Sequence, residues 1–232
     1  MRKEIKIYSA VIILSMLAFI YMACIQRASW HEVIINQELL DGYQIMNSVD
    51  FTTKQAAPSL SELVGESQII VEVEGTDNHE ELEYTILSEV RVKKVYKGDD
   101  LLVDKVIFIY ELFYINNNNS YVISDGGYML MQPNTSYILF LNFYEKPEGY
   151  KYTEKDKNTY LLSKVHFGKY STFVEQNTKL YDPDPETNDY LLYKQVKGYD
   201  FLVDSQSDLD EYKALHEKVL KWISYKFYRA KS

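Results

Sequence analysis

Two stretches decide the fold: Ser67-Gln68-Ile69-Ile70-Val71-Glu72-Val73-Glu74-Gly75 and Val90-Arg91-Val92-Lys93-Lys94-Val95-Tyr96-Lys97-Gly98. In the first, Ile69, Val71 and Val73 alternate with Gln68, Glu72 and Glu74, the period-two pattern of a half-buried strand, and Gly75 ends the run. In the second, the alternation slips by one residue at Lys93-Lys94. Such a slip is the signature of a β-bulge in a long strand that bends, here spanning residues 84–96. Lys97-Gly98-Asp99-Asp100 then reads as a turn.

Three more strands are expected downstream. Residues 106–113 form the third, before an Asn-rich loop at 116–119. Asp125-Gly126-Gly127 and Gln132-Pro133-Asn134 are turns, and residues 136–144 form an almost wholly apolar fourth strand, expected to be covered on both faces. Residues 160–167 form the fifth, ending at Gly168-Lys169-Tyr170. Upstream, Ser59-Leu60-Ser61-Glu62-Leu63-Val64-Gly65 predicts a short helical turn. At the C-terminus, Leu209, Tyr212, Leu215, Val219, Trp222, Ile223 and Phe227 recur at helical spacing. Ser207-Asp208-Leu209-Asp210 resembles a capping box, and early acids with late lysines suit the helix dipole, so a helix is expected over 207–228, packed on the sheet. The expected fold class is mainly β: a five-stranded OB-like barrel with an N-terminal membrane helix and a C-terminal amphipathic helix.

The N-terminus sets the compartment. Arg2, Lys3 and Lys6 precede 19 uncharged residues, 7–25, and Arg27 follows. A helix of that length rises about 28 Å, close to the bilayer's hydrocarbon thickness, and its basic flank stays cytoplasmic. An uncleaved signal anchor is expected; a lipoprotein signal with Cys24 as the lipidated residue and plain secretion are the alternatives. Tyr21-Met22-Ala23-Cys24 matches a lipobox only in its last two positions, and bulky Tyr21 disfavours ordinary cleavage. All three readings place the rest of the chain outside the cytoplasm. The division expected is a signal anchor or lipoprotein signal over 1–27, a stalk over 28–58, the OB-like domain over 59–200, and the C-terminal helix over 201–232.

Composition narrows function. The chain has 232 residues and a net charge of −9; without residues 1–24 it keeps 22 basic and 33 acidic residues, or −11. An acidic surface is repelled by phosphate backbones, so no nucleic-acid partner is expected. One cysteine excludes an internal disulfide framework and a Cys-rich zinc site.

Ser67 to Gly75, Val92 to Gly98, Asn134-Thr135-Ser136-Tyr137-Ile138-Leu139-Phe140-Leu141 and Gly168-Lys169-Tyr170 together resemble a family of secreted and lipid-anchored bacterial OB-type domains. These domains are related in fold to the N-terminal domain of tissue inhibitors of metalloproteinases. The resemblance spans about residues 59–175 and implies a fold rather than an activity. The inhibitors present a free N-terminal cysteine amine within a disulfide-rich frame. Here the lone Cys24 lies in the apolar N-terminal segment, so that mechanism is not carried over.

No catalytic signature is present. His31-Glu32 and His216-Glu217 lack the second histidine of a zinc-protease helix. His79, among Asp77, Glu80, Glu81 and Glu83, is expected on a solvated acidic hairpin. Asp182, Asp184 and Glu186 have a spacing that recurs in calcium loops, but two prolines intervene and the turn glycine is missing, so an acidic surface loop is expected. Neither a nucleophile elbow nor a glycine-rich phosphate cradle occurs, and no cofactor is expected. Tyr110, Tyr114, Tyr121 and Tyr128 are the candidate ligand face, able to stack sugars, with cross-strand packing as the competing reading. The function expected is a non-enzymatic, membrane-tethered extracytoplasmic module that binds an envelope or extracellular protein. The alternatives are a carbohydrate or cell-wall-binding domain and, less favoured, a carboxylate-based hydrolase. The sequence leaves the oligomeric state open.

Overall fold

The computed structural model describes residues 2–29, 33–35, 37–48, 56–172, 178–181 and 190–229. It divides into two units, residues 1–33 and 34–232.

The first unit is helix α1 (Arg2–Ser29). Residues 12–25 of α1 are exposed, with Ile12, Ile13, Leu14, Leu17, Phe19 and Ile20 bare. No helix among the described residues is long and apolar enough to cross a membrane.

The second unit is built on a barrel. Its five strands are β2 (Ile69–Glu81), β3 (Ile86–Lys97), β4 (Val106–Glu111), β7 (Ser136–Phe143) and β8 (Thr159–Leu162). A smaller sheet holds β1 (Gln44–Ser48), β5 (Phe113–Asn116) and β6 (Tyr121–Asp125). The barrel runs β2-β3-β4-β8-β7 and closes where β7 pairs back on β2. Only the β4–β8 pairing within it is parallel. This order is that of a five-stranded OB-like barrel.

Strand β2 makes closure possible because residues 70–74 pair on both sides, with β3 and with β7. The ladder shifts where Glu72 faces Lys94 and Val73 faces Val92, leaving Lys93 as the extra residue of a bulge. The phase slip in the sequence is therefore real. Gly75 does not end β2 as expected; it is the corner. Its N–H donates to the Thr135 carbonyl and its carbonyl accepts from Asn134, so the 132–135 turn lies against bare backbone. A β-carbon there would strike the Gln132 carbonyl. Beyond the corner, Thr76 and Asn78 bond Glu89, and β2 resumes pairing with β3 at His79.

The barrel interior is filled by Val71, Val73, Val90, Val92, Ile107, Ile109, Leu139 and Leu141. The opposite face of β7 presents Ile138 and Phe140 to two helices, α2 (Leu60–Glu66) and α3 (Gln206–Arg229). That double burial explains the apolar run in β7. The expected helical turn is α2, and it carries a capping box: Ser59 accepts from the Glu62 N–H while Glu62 accepts from the Ser59 N–H. Its C-terminal carbonyls receive Lys97, whose ammonium donates to Val64 and Ser67, a favourable charge for that end. Helix α3 buries Leu209, Tyr212, Leu215 and Val219 against the barrel, as expected. Its cap is Ser205 with Asp208, not Ser207 with Asp210.

The expected stalk is corrected in part. Residues 34–48 belong to the folded unit, since Ile35, Leu40 and Ile45 are buried and β1 pairs in parallel with β6. The expected third strand also breaks at Leu112: β4 stays in the barrel, and β5 turns into the smaller sheet.

Gly127 anchors the junction of these layers. It has a φ of +82°, and a β-carbon on it would collide with the Leu202 carbonyl. Gly127→Ala is expected to cost more than about 2 kcal/mol in urea unfolding; a loss within experimental error would show that the approach is not tight.

Candidate functional site

The outward side chains of β4, Phe108 and Tyr110, alternate with inward Ile107, Ile109 and Glu111. Tyr110 meets Tyr144 edge-on, with centroids 4.9 Å apart, at the start of the β7–β8 loop. That loop then wraps the ammonium of Lys146. Lys146 Nζ lies 4.4 Å from the Tyr144 ring centre, 5.2 Å from that of Tyr150, and 3.3 Å from Asp156 Oδ1. The Tyr152 hydroxyl accepts the Lys146 N–H at 2.7 Å. Thr153 donates to Asp156 Oδ2 through both its hydroxyl and its N–H, forming the capping box of the one-turn helix Glu154–Lys157.

Electrostatics follow from this geometry. The Thr153 donors, with Lys146 beyond them, hold the Asp156 carboxyl at a pKa of about 2. Desolvation works against the Lys146 ammonium, but the Asp156 bond and the fields of Tyr110 and Tyr144 leave its pKa above the ordinary value.

Tyr114 and Tyr121 lie elsewhere, on the half-exposed face of the smaller sheet. Tyr114 stacks on exposed Tyr84 with centroids 6.0 Å apart, and the Tyr121 hydroxyl accepts from Asn116. At the rim, Tyr43 donates to Asn117, and the Asn117 amide reaches Glu81. Tyr128 is on neither face: it is fully buried and donates to Glu111 Oε2 at 2.7 Å. The four tyrosines therefore do not form one surface. Tyr110 belongs to the loop cluster, Tyr114 and Tyr121 to the small sheet, and Tyr128 to the interior, because a buried carboxylate recruits its hydroxyl.

Sequence reasoning missed that interior. Lys169, Glu111, Asp200, His79, Ser88 and His216 are all buried. Hydrogen bonds order them. The Gln37 amide donates to His79 Nε2, His79 Nδ1 donates to Ser88 Oγ, and Ser88 gives its only proton to Glu111 Oε1. Glu111 Oε2 also takes the Met131 N–H. Lys169 donates to the Met129 carbonyl and sits over the Tyr128 ring, 3.9 Å from its centre. Asp200 accepts the Ser171 N–H, and His216 Nε2 donates to the Ser171 carbonyl. His79 is thus not on a solvated hairpin: the bend after Gly75 turns it inward onto Ser88.

The direction of these bonds decides what the chain of groups can do. A nucleophilic serine donates to its histidine, which takes the proton in the attack. Here the histidine donates to the serine, and the serine proton faces a carboxylate. The arrangement satisfies buried groups and does not activate an oxygen. Burial lowers the pKa of both imidazoles against the opposing pull of Glu111 on His79 and Asp200 on His216. Burial also lowers the pKa of Lys169 and raises that of Asp200, each opposed by the other's charge.

The calcium candidates Asp182, Asp184 and Glu186 lie outside the described residues, as does His31. Cys24 is exposed on α1. No protein-family model matches the chain, and no curated protein matches it.

Glu111→Ala is expected to destabilise by about 3–5 kcal/mol, because Ser88, Tyr128 and Met131 lose their acceptor and Lys169 loses a compensating charge; a chemical unfolding curve within about 1 kcal/mol of the parent would contradict this role. Because His216 is held neutral, the stability it contributes is present above its unfolded pKa and is lost as pH falls below about 6.5. His216→Gln keeps a donor for Ser171 without titrating. The parent should therefore lose melting temperature relative to this variant between pH 7 and pH 5, and parallel pH profiles would refute the assignment.

Proposed function

We propose that this chain is a membrane-tethered, extracytoplasmic module that binds another protein and catalyses nothing itself. The observation that carries the reading is a contrast. The buried His79–Ser88–Glu111 chain is spent on internal hydrogen bonds, whereas the β7–β8 loop presents aromatic rings to solvent, with Tyr150 and Tyr152 both more than 40% exposed. In OB-like barrels this loop and the neighbouring strand face bind oligonucleotides and oligosaccharides, and the proposed protein contact uses the same position. Rigid aromatic side chains contribute large contact area at low entropic cost, which suits a protein interface.

The tether in this reading is α1. The apolar residues 7–25 behind a basic flank support this reading, with Cys24 as the position for an acyl chain if the segment is processed. The strongly acidic outer part is repelled by anionic headgroups, which argues against lipid as its ligand.

A second reading rests on a separate observation. Tyr84 stacked on Tyr114, beside Asn117 and Glu81, combines an aromatic platform with hydrogen-bonding groups, as a wall polysaccharide requires. It predicts that purified cell-wall polymer alters the intrinsic fluorescence of the parent and not of Tyr84→Ala; no change at saturating polymer removes this reading.

The main proposal is tested by crosslinking in intact cells with the full-length chain, followed by mass spectrometry. One recurrent envelope protein, lost from Tyr150→Ala, is the expected result. A protein captured equally by that variant, or none at all, overturns the proposal.

A further inference from the structure

We infer that the β7–β8 loop is an aromatic cage for a cationic side chain of the bound protein, and that Lys146 occupies it in the free state as a stand-in. This rests on the protein-binding reading above.

The loop has the parts of a cation site. Two tyrosine faces, those of Tyr144 and Tyr150, lie within 4.4 and 5.2 Å of one ammonium, inside the range in which a ring quadrupole attracts a cation. Tyr110 supports Tyr144 edge-on, and Tyr152 packs edge-on to Tyr150 with centroids 5.7 Å apart, so both walls are braced. The anion is prepared as well. Asp156 Oδ2 is held by Thr153 and by the Tyr150 hydroxyl, leaving Oδ1 aimed at the cation. These bonds fix the carboxylate and the rings to one another without involving the Lys146 ammonium. The cage therefore persists when that ammonium leaves.

Lys146 can leave. Its side chain is not fully enclosed, since 15% of it stays exposed. It is the flexible member of the group, on a four-carbon stem, whereas the rings and Asp156 are held by the loop. Exchange of its ammonium for an incoming lysine or arginine head conserves the charge inside the cage, and the displaced head returns to water. The net charge of −9 favours approach of a basic segment. Arginine is the better competitor, because a planar guanidinium stacks on tyrosine faces and is more weakly hydrated.

The arrangement also sets a threshold. A tethered occupant competes at an effective concentration of the order of millimolar, so a free cation must exceed that level, while a side chain delivered by an already docked protein need not. The cage then adds specificity to a contact made elsewhere on the same face.

The test uses the full-length protein in neutral detergent micelles with tetramethylammonium as the probe, read as an upfield shift and broadening of its methyl proton signal. Lys146→Met, which keeps the stem and removes the charge, should bind the probe at least about tenfold more tightly than the parent. Adding Tyr144→Ala to Lys146→Met should abolish the gain. Lys146→Gln serves as a second opened variant should Lys146→Met melt early. A folded Lys146→Met or Lys146→Gln that binds no better than the parent overturns the inference, as does a gain that survives Tyr144→Ala. Capture of a partner in cells that persists in Asp156→Asn, with unchanged yield, would overturn the cage while leaving the binding module standing.

Discussion

The structure depends on accommodating one charge. The Lys169 ammonium has no access to water, and removing such a group from solvent costs several kcal/mol even after relaxation. The Met129 carbonyl accepts from it, the face of Tyr128 covers it, and Glu111 and Asp200 balance it. These groups come from three different parts of the chain. Glu111 ends a barrel strand, Met129 lies on the segment after the Gly126-Gly127 turn, and Asp200 precedes the strand Phe201–Val203. Asp200 also takes the Ser171 N–H, and Tyr212 of the C-terminal helix donates to the Lys169 carbonyl. The ammonium thus ties together the end of the barrel, the crossing segment and the helix. Such a network specifies one arrangement of layers, because any slip strands a buried polar group.

This constraint explains where local reasoning worked. The bulge at Lys93 was legible because a strand's side-chain period is two, and one extra residue shifts the phase of all that follow. The α2 cap was legible because its partners lie three residues apart. The α3 cap was ambiguous for the same reason: Ser205 with Asp208 and Ser207 with Asp210 have identical spacing, and only the packing of Leu209 and Tyr212 chooses. The corner at Gly75 and the strand Gln44–Ser48 were not legible. One depends on a backbone approach from residues 132–135, the other on a parallel partner far along the chain.

The candidate site divides in the same way. A tyrosine reads identically in sequence whether it faces solvent or a buried carboxylate, so the pattern groups Tyr128 with Tyr110, Tyr114 and Tyr121. The partner that drew it inward, Glu111, belongs to another strand. His79 looked solvated because its neighbours in sequence are acidic, yet its neighbours in space are Gln37 and Ser88. The Lys146 cluster carried a fainter signal. Tyr144, Tyr150 and Tyr152 around Lys146, followed by Thr153 and Asp156, are local in sequence, and a reading of the loop as a unit would have found them.

Two roles in this protein draw on similar residue types. Ionisable groups inside hold the fold, and in the proposed function the aromatic groups of the β7–β8 loop meet the partner. The most direct test places a photoreactive phenylalanine analogue at Tyr150 in the full-length protein in cells, with the same analogue at Leu101, an exposed position between β3 and β4, as reference. The account predicts a discrete protein adduct on illumination from position 150 and none from position 101. Adducts of equal yield from both positions, or from position 101 alone, would contradict it.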